Sequence, residues 1–117
     1  MIAIDHEGPL VTVAVLGEFT LADYAEFEEL VNYKVSFEGP VDLYFDLREM
    51  LGVTVDVVWE EIKFSRAHPN SFRRIAVVTD SQWITWSAWL NKAFVNTEMR
   101  VFDDSDADDA LSWIKAA

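Results

Sequence analysis

The stretch Phe72-Arg73-Arg74-Ile75-Ala76-Val77-Val78-Thr79-Asp80-Ser81-Gln82-Trp83-Ile84 decides the fold class. Residues 75–78 form a continuous apolar run that is rich in β-branched side chains and shows no polar alternation. A strand has this pattern when both of its faces are covered, as in a parallel sheet between helices. Thr79, Asp80 and Ser81 follow at once and are good N-cap residues for a helix. The stretch therefore predicts a buried strand at the centre of an α/β sheet, whose carboxyl end opens into a helix.

Strands and helices alternate through the rest of the chain. Strands are predicted at residues 1–4, 10–16, 41–47 and 98–102, and the first two form an antiparallel hairpin around Gly8-Pro9. Helices are predicted from Thr20 to Gly39-Pro40, at about 54–67, at about 82–95, and after residue 106. Gly17-Glu18-Phe19 should break the second strand, and residues 48–52 should be a connection. This order predicts a single domain over residues 1–117, with about four helices on both sides of a mostly parallel sheet.

The first long helix carries the clearest local signals. Thr20 and Asp23 have the spacing of an approximate capping box at its start. The residues predicted to share its buried side are Leu21, Tyr24, Phe27, Glu28, Val31 and Val35.

The composition excludes several classes of function. A formal net charge of −12 argues against nucleic-acid binding, which needs cations placed against phosphates. Cysteine is absent, so a disulfide framework, a thiolate metal site and a cysteine nucleophile are all excluded. The first residues carry no basic, apolar leader, and no apolar run reaches membrane-spanning length. These features favour a cytoplasmic protein.

The residues that follow point to a known family. They are Trp59-Glu60-Glu61-Ile62-Lys63-Phe64, His68, the stretch from Phe72 to Ile84, Arg100-Val101-Phe102 and Ala110-Leu111-Ser112-Trp113-Ile114. In this order they resemble the bacterial SpoIIAA-like family along nearly the whole chain. The resemblance implies a STAS-like α/β fold, distantly akin to anti-sigma-factor antagonists and to CRAL-TRIO lipid-binding domains. It also implies dimers and a role in binding nonpolar ligands or membranes. It implies no enzymatic activity, so no catalytic residue is carried over.

Tryptophan is unusually frequent in one predicted helix, which holds Trp83, Trp86 and Trp89. Core packing is the ordinary explanation, since aromatic rings dominate burial. The sharper hypothesis is an apolar cleft between this helix and the helix of Trp59 and Phe64. Such a cleft would hold a nonpolar small molecule or open onto a partner or membrane surface. Its predicted lining is Trp59, Phe64, Trp83 and Trp86, with Arg66 or Arg73 at the mouth.

A basic cluster and a threonine give two further candidates. Lys63, Arg66, His68, Arg73 and Arg74 could hold an anionic group, or they could simply pair with acids such as Glu60, Glu61 and Asp80. Thr54 follows the third strand, near where the phosphorylated serine of an anti-sigma-factor antagonist would lie. The Asp-Ser-Ser/Thr-Gly pattern of those proteins is missing, because this chain has Gly52-Val53-Thr54-Val55-Asp56. Thr54 is therefore either a plain helix cap or a phosphorylation site.

Other patterns concern assembly and chemistry. Val57, Phe64 and Trp89 fit no single buried face, which predicts that a second copy covers them in a homodimer. His6 and His68 lack metal-ligand spacing, and no cofactor motif or nucleophile–base pair is recognisable. The sequence thus favours a non-enzymatic module that binds a nonpolar molecule or associates peripherally with membranes. The alternative is a regulatory protein-interaction domain.

Overall fold

The computed structural model of the chain describes residues 1–53, 72–80 and 98–116. Its strands are β1 (Ile2–Glu7), β2 (Leu10–Phe19), β3 (Val41–Val53), β4 (Phe72–Thr79) and β5 (Glu98–Asp103). Its helices are α1 (Leu21–Glu38) and α2 (Ala107–Lys115), and a 3₁₀ turn at Asp104–Asp106 precedes α2. The helices predicted at about 54–67 and 82–95 lie outside the described residues.

The five strands form one sheet in the order β1-β2-β3-β4-β5. β1 is antiparallel to β2, and the pairs β2–β3, β3–β4 and β4–β5 are parallel. The predicted mostly parallel sheet with an N-terminal antiparallel hairpin is therefore confirmed. β4 is internal and buried as predicted, but it lies one place from the edge, and β3 takes the central position.

Each face of the sheet carries one of the two described helices. On one face, Tyr24, Phe27 and Val31 of α1 pack against apolar residues of β2, β3 and β4. On the other face, Ala110 and Ile114 of α2 pack against Tyr44, Ala76 and Val78. We call these the α1 face and the α2 face. They confirm that helices lie on both sides of the sheet.

The ends of α1 follow from its local sequence. Asp23 N donates to Thr20 Oγ1 at 3.3 Å, and Thr20 N donates to Asp23 Oδ2 at 3.1 Å, so the predicted capping box is present. Partial burial raises the pKa of the Asp23 carboxyl, but hydrogen bonds from Thr20 and from the Met1 ammonium, together with the charge of that ammonium, leave it lower than usual. Gly39 ends the helix at φ +81°, a conformation that favours glycine, and its N–H donates to Val35 O.

The predicted buried side of α1 is partly wrong. Leu21, in the first turn, is exposed, whereas Lys34 is buried. The Lys34 ammonium lies 3.0 Å from Glu38 and 3.3 Å from His6 Nδ1. A lysine can bury its apolar stem when its charged end finds such partners, and a pattern of apolar residues alone does not reveal this.

β2 and β3 continue through segments that were predicted to interrupt or connect them. β2 continues through Gly17-Glu18-Phe19 instead of breaking there, and β3 continues through residues 48–53 instead of ending at Leu47. The two extensions pair with each other. Mutual pairing satisfies their backbone groups, so neither segment has to form a loop.

Candidate functional site

Most of the predicted site residues lie outside the described part of the chain. These are Thr54, Trp59, Phe64, Arg66, Trp83 and Trp86, together with Val57 and Trp89 of the predicted dimer surface. Their roles stay predictions. Arg73 is described, and it lies at the amino end of β4.

Arg73 binds a buried carboxylate. Its Nε donates to Asp42 Oδ1 at 3.2 Å, and its Nη2 donates to Asp42 Oδ2 at 2.6 Å. The Asp42 side chain is only 4% exposed, whereas that of Arg73 is 44% exposed. Arg74 likewise contacts Glu98 at 3.3 Å and donates to Trp113 O at 3.0 Å. Both arginines are thus paired with acids, as the ordinary explanation of the basic cluster expects. Glu60 and Glu61 lie outside the described residues.

A β-bulge brings these two arginines to the same face. Val41 pairs with Phe72 and Leu43 pairs with Ile75, so β4 has one residue more than β3 between the two pairs. Phe72 and Ile75 both lie in the core of the α1 face. Arg73 and Arg74, between them, therefore both project toward the α2 face.

The candidate site lies at the other end of the sheet, where β2 and β3 extend beyond their neighbours. The pairing of β3 with β4 ends at Asp46 and Val78, whereas the pairing of β2 with β3 continues to Phe19 and Val53. The last residues of β2 and β3 therefore form a two-stranded extension at the carboxyl edge of the parallel strands. We call residues 16–19 and 49–53 the ribbon. Ligands of α/β sheets commonly bind at this edge.

Two bulges in β3 shape the ribbon. The register shifts between the pairs Ala14–Asp46 and Leu16–Glu49, and again between Gly17–Met50 and Glu18–Gly52. Each shift gives β3 one extra residue and re-aims the side chains around it.

The bulges change which side chains are buried. Leu47 and Met50 are both buried in the core of the α1 face, although they are three residues apart. Leu51 falls in the second bulge and is 79% exposed. Exposed Glu18 and Glu49 lie on the same ribbon. The ribbon thus presents one large apolar side chain among acidic ones.

An ion pair is anchored beside the first bulge. Arg48 Nε donates to Asp46 Oδ1 at 3.0 Å, its Nη2 donates to Asp46 Oδ2 at 2.8 Å, and its backbone N–H also donates to Oδ1. A depression of about 470 Å³ adjoins the pair and is lined by Ala14, Val15, Leu16, Asp46, Arg48 and Glu49.

The ion pair controls the local electrostatics. Burial alone raises the pKa of the Asp46 carboxyl, but hydrogen bonds from Arg48 lower it below its usual value. The Asp46 hydrogen bond in turn raises the pKa of the Arg48 guanidinium. Burial, and then the Asp46 charge, raise the pKa of the nearby Tyr44 hydroxyl. All three groups therefore hold a fixed protonation state near neutral pH, with Asp46 and Arg48 charged.

More acids lie at the carboxyl end of β5. Ser105 donates to Asp103 Oδ2 from its hydroxyl at 2.7 Å and from its backbone N–H at 3.2 Å. These bonds lower the pKa of Asp103, whereas hydrogen bonding to Asp103 and the charge of Asp103 raise the pKa of Asp104. Within residues 1–53, 72–80 and 98–116, no three acidic or histidine side chains form a group that could hold a metal ion.

The ribbon could not be predicted from alternation, because the bulges interrupt it. The usable signal was the spacing of Leu47 and Met50, two apolar residues three apart at the end of a predicted strand. Such spacing is typical of a bulge when a strand continues. The described edge offers an anchored charge pair and an exposed leucine, which suit recognition of another molecule.

Comparisons with known proteins agree with this architecture. The SpoIIAA-like family matches residues 10–115. No curated protein matches the chain in sequence. An uncharacterized protein with a SpoIIAA-like fold from Shewanella loihica is 21% identical with a TM-score of 0.74, and the match covers 97% of this chain and 92% of that one.

Two anti-sigma factor antagonists also share the fold. SpoIIAA in its unphosphorylated form is 12% identical with a TM-score of 0.59, covering 96% of this chain and 98% of that one. An antagonist from Mycobacterium paratuberculosis is 14% identical with a TM-score of 0.57, covering 98% of this chain and 93% of that one. At such identities the likeness concerns the fold. Neither α1 nor α2, the helices described in this chain, is long and apolar enough to cross a membrane.

Proposed function

Because the chain belongs to the SpoIIAA-like family, we propose that it is a cytoplasmic regulatory domain that binds a protein partner and has no catalytic step of its own. The observation that carries this proposal is the ribbon, where Leu51 is 79% exposed. An isolated exposed leucine is ordinary, but this one lies at the carboxyl edge of the sheet beside an anchored ion pair. The fold is shared with anti-sigma factor antagonists, which supports a regulatory role.

The chemistry of the ribbon specifies the partner. Leu51 needs an apolar pocket, and the exposed carboxylates of Glu18 and Glu49 need basic groups around that pocket. The formal net charge of −12 also favours a basic partner and speeds its association. We therefore expect the partner to carry an apolar pocket with a basic rim.

Thr54 is the residue through which this docking would be regulated. It follows directly after Val53, the last residue of β3. A phosphate on its hydroxyl would add about −2 charge beside the ribbon and supply new hydrogen-bond acceptors. We expect phosphorylation to change partner affinity.

Photocrosslinking in cells of the source organism tests the proposal. A photoreactive phenylalanine at position 51 should give one discrete adduct with a single protein. The Glu49→Lys change should abolish the adduct, since it reverses a ribbon charge. The same reactive residue at Val101, on the far edge strand, is the matched control. Equal adducts at both positions, or none at position 51, would refute docking through the ribbon.

A second candidate function is favoured by the aromatic side chains of the α1 face. Phe27 stacks on Phe45 and on Phe72, with ring centroids 6.5 and 6.4 Å apart and interplanar angles of 16° and 11°. Phe45 and Phe72 belong to β3 and β4, the strands that flank residues 54–71. Under this proposal, the stacked rings of Phe27, Phe45 and Phe72 are continuous with the predicted cleft, whose lining is Trp59, Phe64, Trp83 and Trp86. Under this proposal the cleft binds a nonpolar molecule or a membrane surface, with Arg66 or Arg73 at its mouth.

Fatty-acid titration separates this candidate from the first. Saturable binding should change tryptophan fluorescence and raise the thermal midpoint by mass action. Trp86→Ala should weaken binding, whereas Trp113→Ala should not. Trp113 is a suitable control because its ring packs on the opposite face, 6.0 Å from Phe102. Both variants must remain folded for this comparison. No saturable change with folded wild type would remove the nonpolar-ligand function.

A further inference from the structure

We propose that β1 is a docking edge at which a second copy of this chain adds its own β1 in antiparallel orientation. In the part of the chain that the structure describes, β1 pairs with β2 alone and forms one end of the sheet. The inference does not depend on the partner proposed for the ribbon. It also concerns a different surface from the predicted one around Val57, Phe64 and Trp89.

The backbone of β1 shows which groups face outward. Leu16 N donates to Met1 O at 2.8 Å, and in an antiparallel pair the bonded residues alternate along the strand. Met1, Ala3 and Asp5 therefore direct their backbone groups toward β2. Ile2, Ile4 and His6 direct theirs toward the outer edge.

The outer edge is only partly protected. His6 N donates to the Asp5 side chain at 2.9 Å, so this one donor is already satisfied. Among the residues that the structure describes, the N–H groups of Ile2 and Ile4 and the carbonyls of all three outward residues have no backbone partner, so another strand could bond to them. A row of such groups is a template for strand pairing.

One two-fold register uses all three outward residues. With the axis at Ile4, Ile4 pairs with Ile4 of the second copy, and Ile2 pairs with its His6. The central pair exchanges two hydrogen bonds, and Ile2 N–H donates to the His6 carbonyl on each side. These four bonds leave the contact between His6 N and Asp5 intact.

Charge also favours this register. It places Asp5 opposite Ala3 of the second copy, so no two carboxylates are directly opposed within β1. Moving the axis to Asp5 would set Asp5 against itself, which is destabilising. Moving it to Ala3 would leave His6 unpaired. The strand is therefore self-complementary in one register, and this singles out a second copy as the occupant.

Apolar side chains beside the edge would be covered on pairing. A groove of about 470 Å³ between β1 and α1 is lined by Ile4, His6, Glu26, Glu29, Leu30 and Tyr33. Tyr33 and Phe37 are 64% and 75% exposed, and their rings contact at 4.9 Å between centroids. In the continuous sheet of the proposed dimer, the grooves of the two copies would meet at the two-fold axis. Both copies bring acids to the groove, so association should strengthen as salt screens their repulsion.

Sedimentation of wild type and Ile4→Pro between 1 and about 500 µM is the first test. Proline in an edge strand is tolerated where its missing N–H would face solvent, so Ile4→Pro removes the central intermolecular bonds and no bond to β2. The average mass of wild type should approach twice the 13.4 kDa chain mass as concentration rises, and it should do so at lower concentration in high salt. Ile4→Pro should stay monomeric while keeping its circular dichroism spectrum.

Disulfide crosslinking tests the pairing of two β1 strands even if Ile4→Pro fails to fold. The chain contains no cysteine, so each variant carries one thiol. Bonded antiparallel pairs have Cα atoms about 5.5 Å apart, within disulfide range. In glutathione buffer, Ile4→Cys should form a covalent dimer, whereas Val101→Cys on the opposite edge strand should not. Monomeric wild type at about 500 µM, a dimer unaffected by Ile4→Pro, or equal trapping at both positions would overturn the proposal. Leu51 crosslinking should be unchanged in Ile4→Pro, so the two proposals fail separately.

Discussion

Replacing Arg73 with methionine should destabilise the protein, because it leaves the buried carboxylate of Asp42 without its partner. Methionine keeps the apolar stem and removes the two hydrogen bonds, which measure 2.6 and 3.2 Å. Removing one partner of a buried ion pair typically costs about 3–5 kcal/mol. Since the Arg73 side chain is 44% exposed, water can reach the site, and we expect about 2–3 kcal/mol instead.

The expected change is large enough to measure by thermal unfolding. At about 2.1 cal/mol/K per residue, the unfolding entropy of 117 residues is about 0.25 kcal/mol/K. The thermal midpoint of Arg73→Met should therefore fall by roughly 8–12 °C. Arg100→Met is the matched control, because the Arg100 guanidinium lies over the rings of Phe102 and Trp113 and forms no ion pair with the described residues. That variant should lose less than about 1 kcal/mol.

A double-mutant cycle shows whether the loss belongs to this pair. Asp42→Asn keeps the shape of the side chain and removes its charge, so Arg73→Met should cost much less in that background. We expect a coupling energy of about 2 kcal/mol. Additive effects, or an Arg73→Met midpoint equal to that of wild type, would refute the structural role. A normal midpoint combined with lost fatty-acid binding would instead favour Arg73 as a ligand residue.

Three further predictions concern the core, the cap of α1 and the Asp46 pair. Val77→Asp places a carboxylate at a fully buried position of β4 and should cost several kcal/mol, so an unchanged thermal midpoint would contradict the topology. Thr20→Ala should lower the unfolding free energy, measured by urea denaturation, by about 1 kcal/mol. Thr20→Ser keeps a capping hydroxyl and should keep most of the wild-type stability. The pKa of Asp46 is lower in the folded state than in the unfolded state, so the folded state binds fewer protons as the carboxyl titrates. Ionised Asp46 therefore stabilises the fold at neutral pH, and this stabilisation is lost as pH falls below the ordinary aspartate pKa. Wild type should therefore lose more stability than Asp46→Asn between about pH 5 and 3, and equal slopes would contradict this.

The predictable parts of the fold depend on signals within a few residues of each other. The apolar run at 75–78, the Gly8-Pro9 turn and the Thr20–Asp23 box are all local, and each is confirmed. The lengths of β2 and β3 were predicted wrongly, because two bulges interrupt the period of two on which strand prediction rests. Alternation cannot show that Leu47 and Met50 lie on the same face.

The partner of Arg73 could not be predicted for a different reason. Asp42 is 31 residues away in sequence, and it meets Arg73 only through the shifted register of β3 and β4. Register depends on the packing of both faces at once, which a single segment does not encode. The candidate site at the ribbon likewise arises from pairing between distant segments. Sequence reasoning did not single out Leu51 or Arg48, because neither belongs to a local motif.

The geometry of the sheet limits how the two proposed surfaces can work together. β2 is antiparallel to β1, and the proposed dimer joins two β1 strands in antiparallel orientation. The parallel strands of the two copies would then run in opposite directions. Their carboxyl edges, and with them the two Leu51 side chains, would lie at opposite ends of the joined sheet. One compact partner could not engage both ribbons, so each copy would bind its own partner without avidity from the other. Such a dimer would bind two partners independently, and phosphorylation at one Thr54 would change the affinity for only one of them.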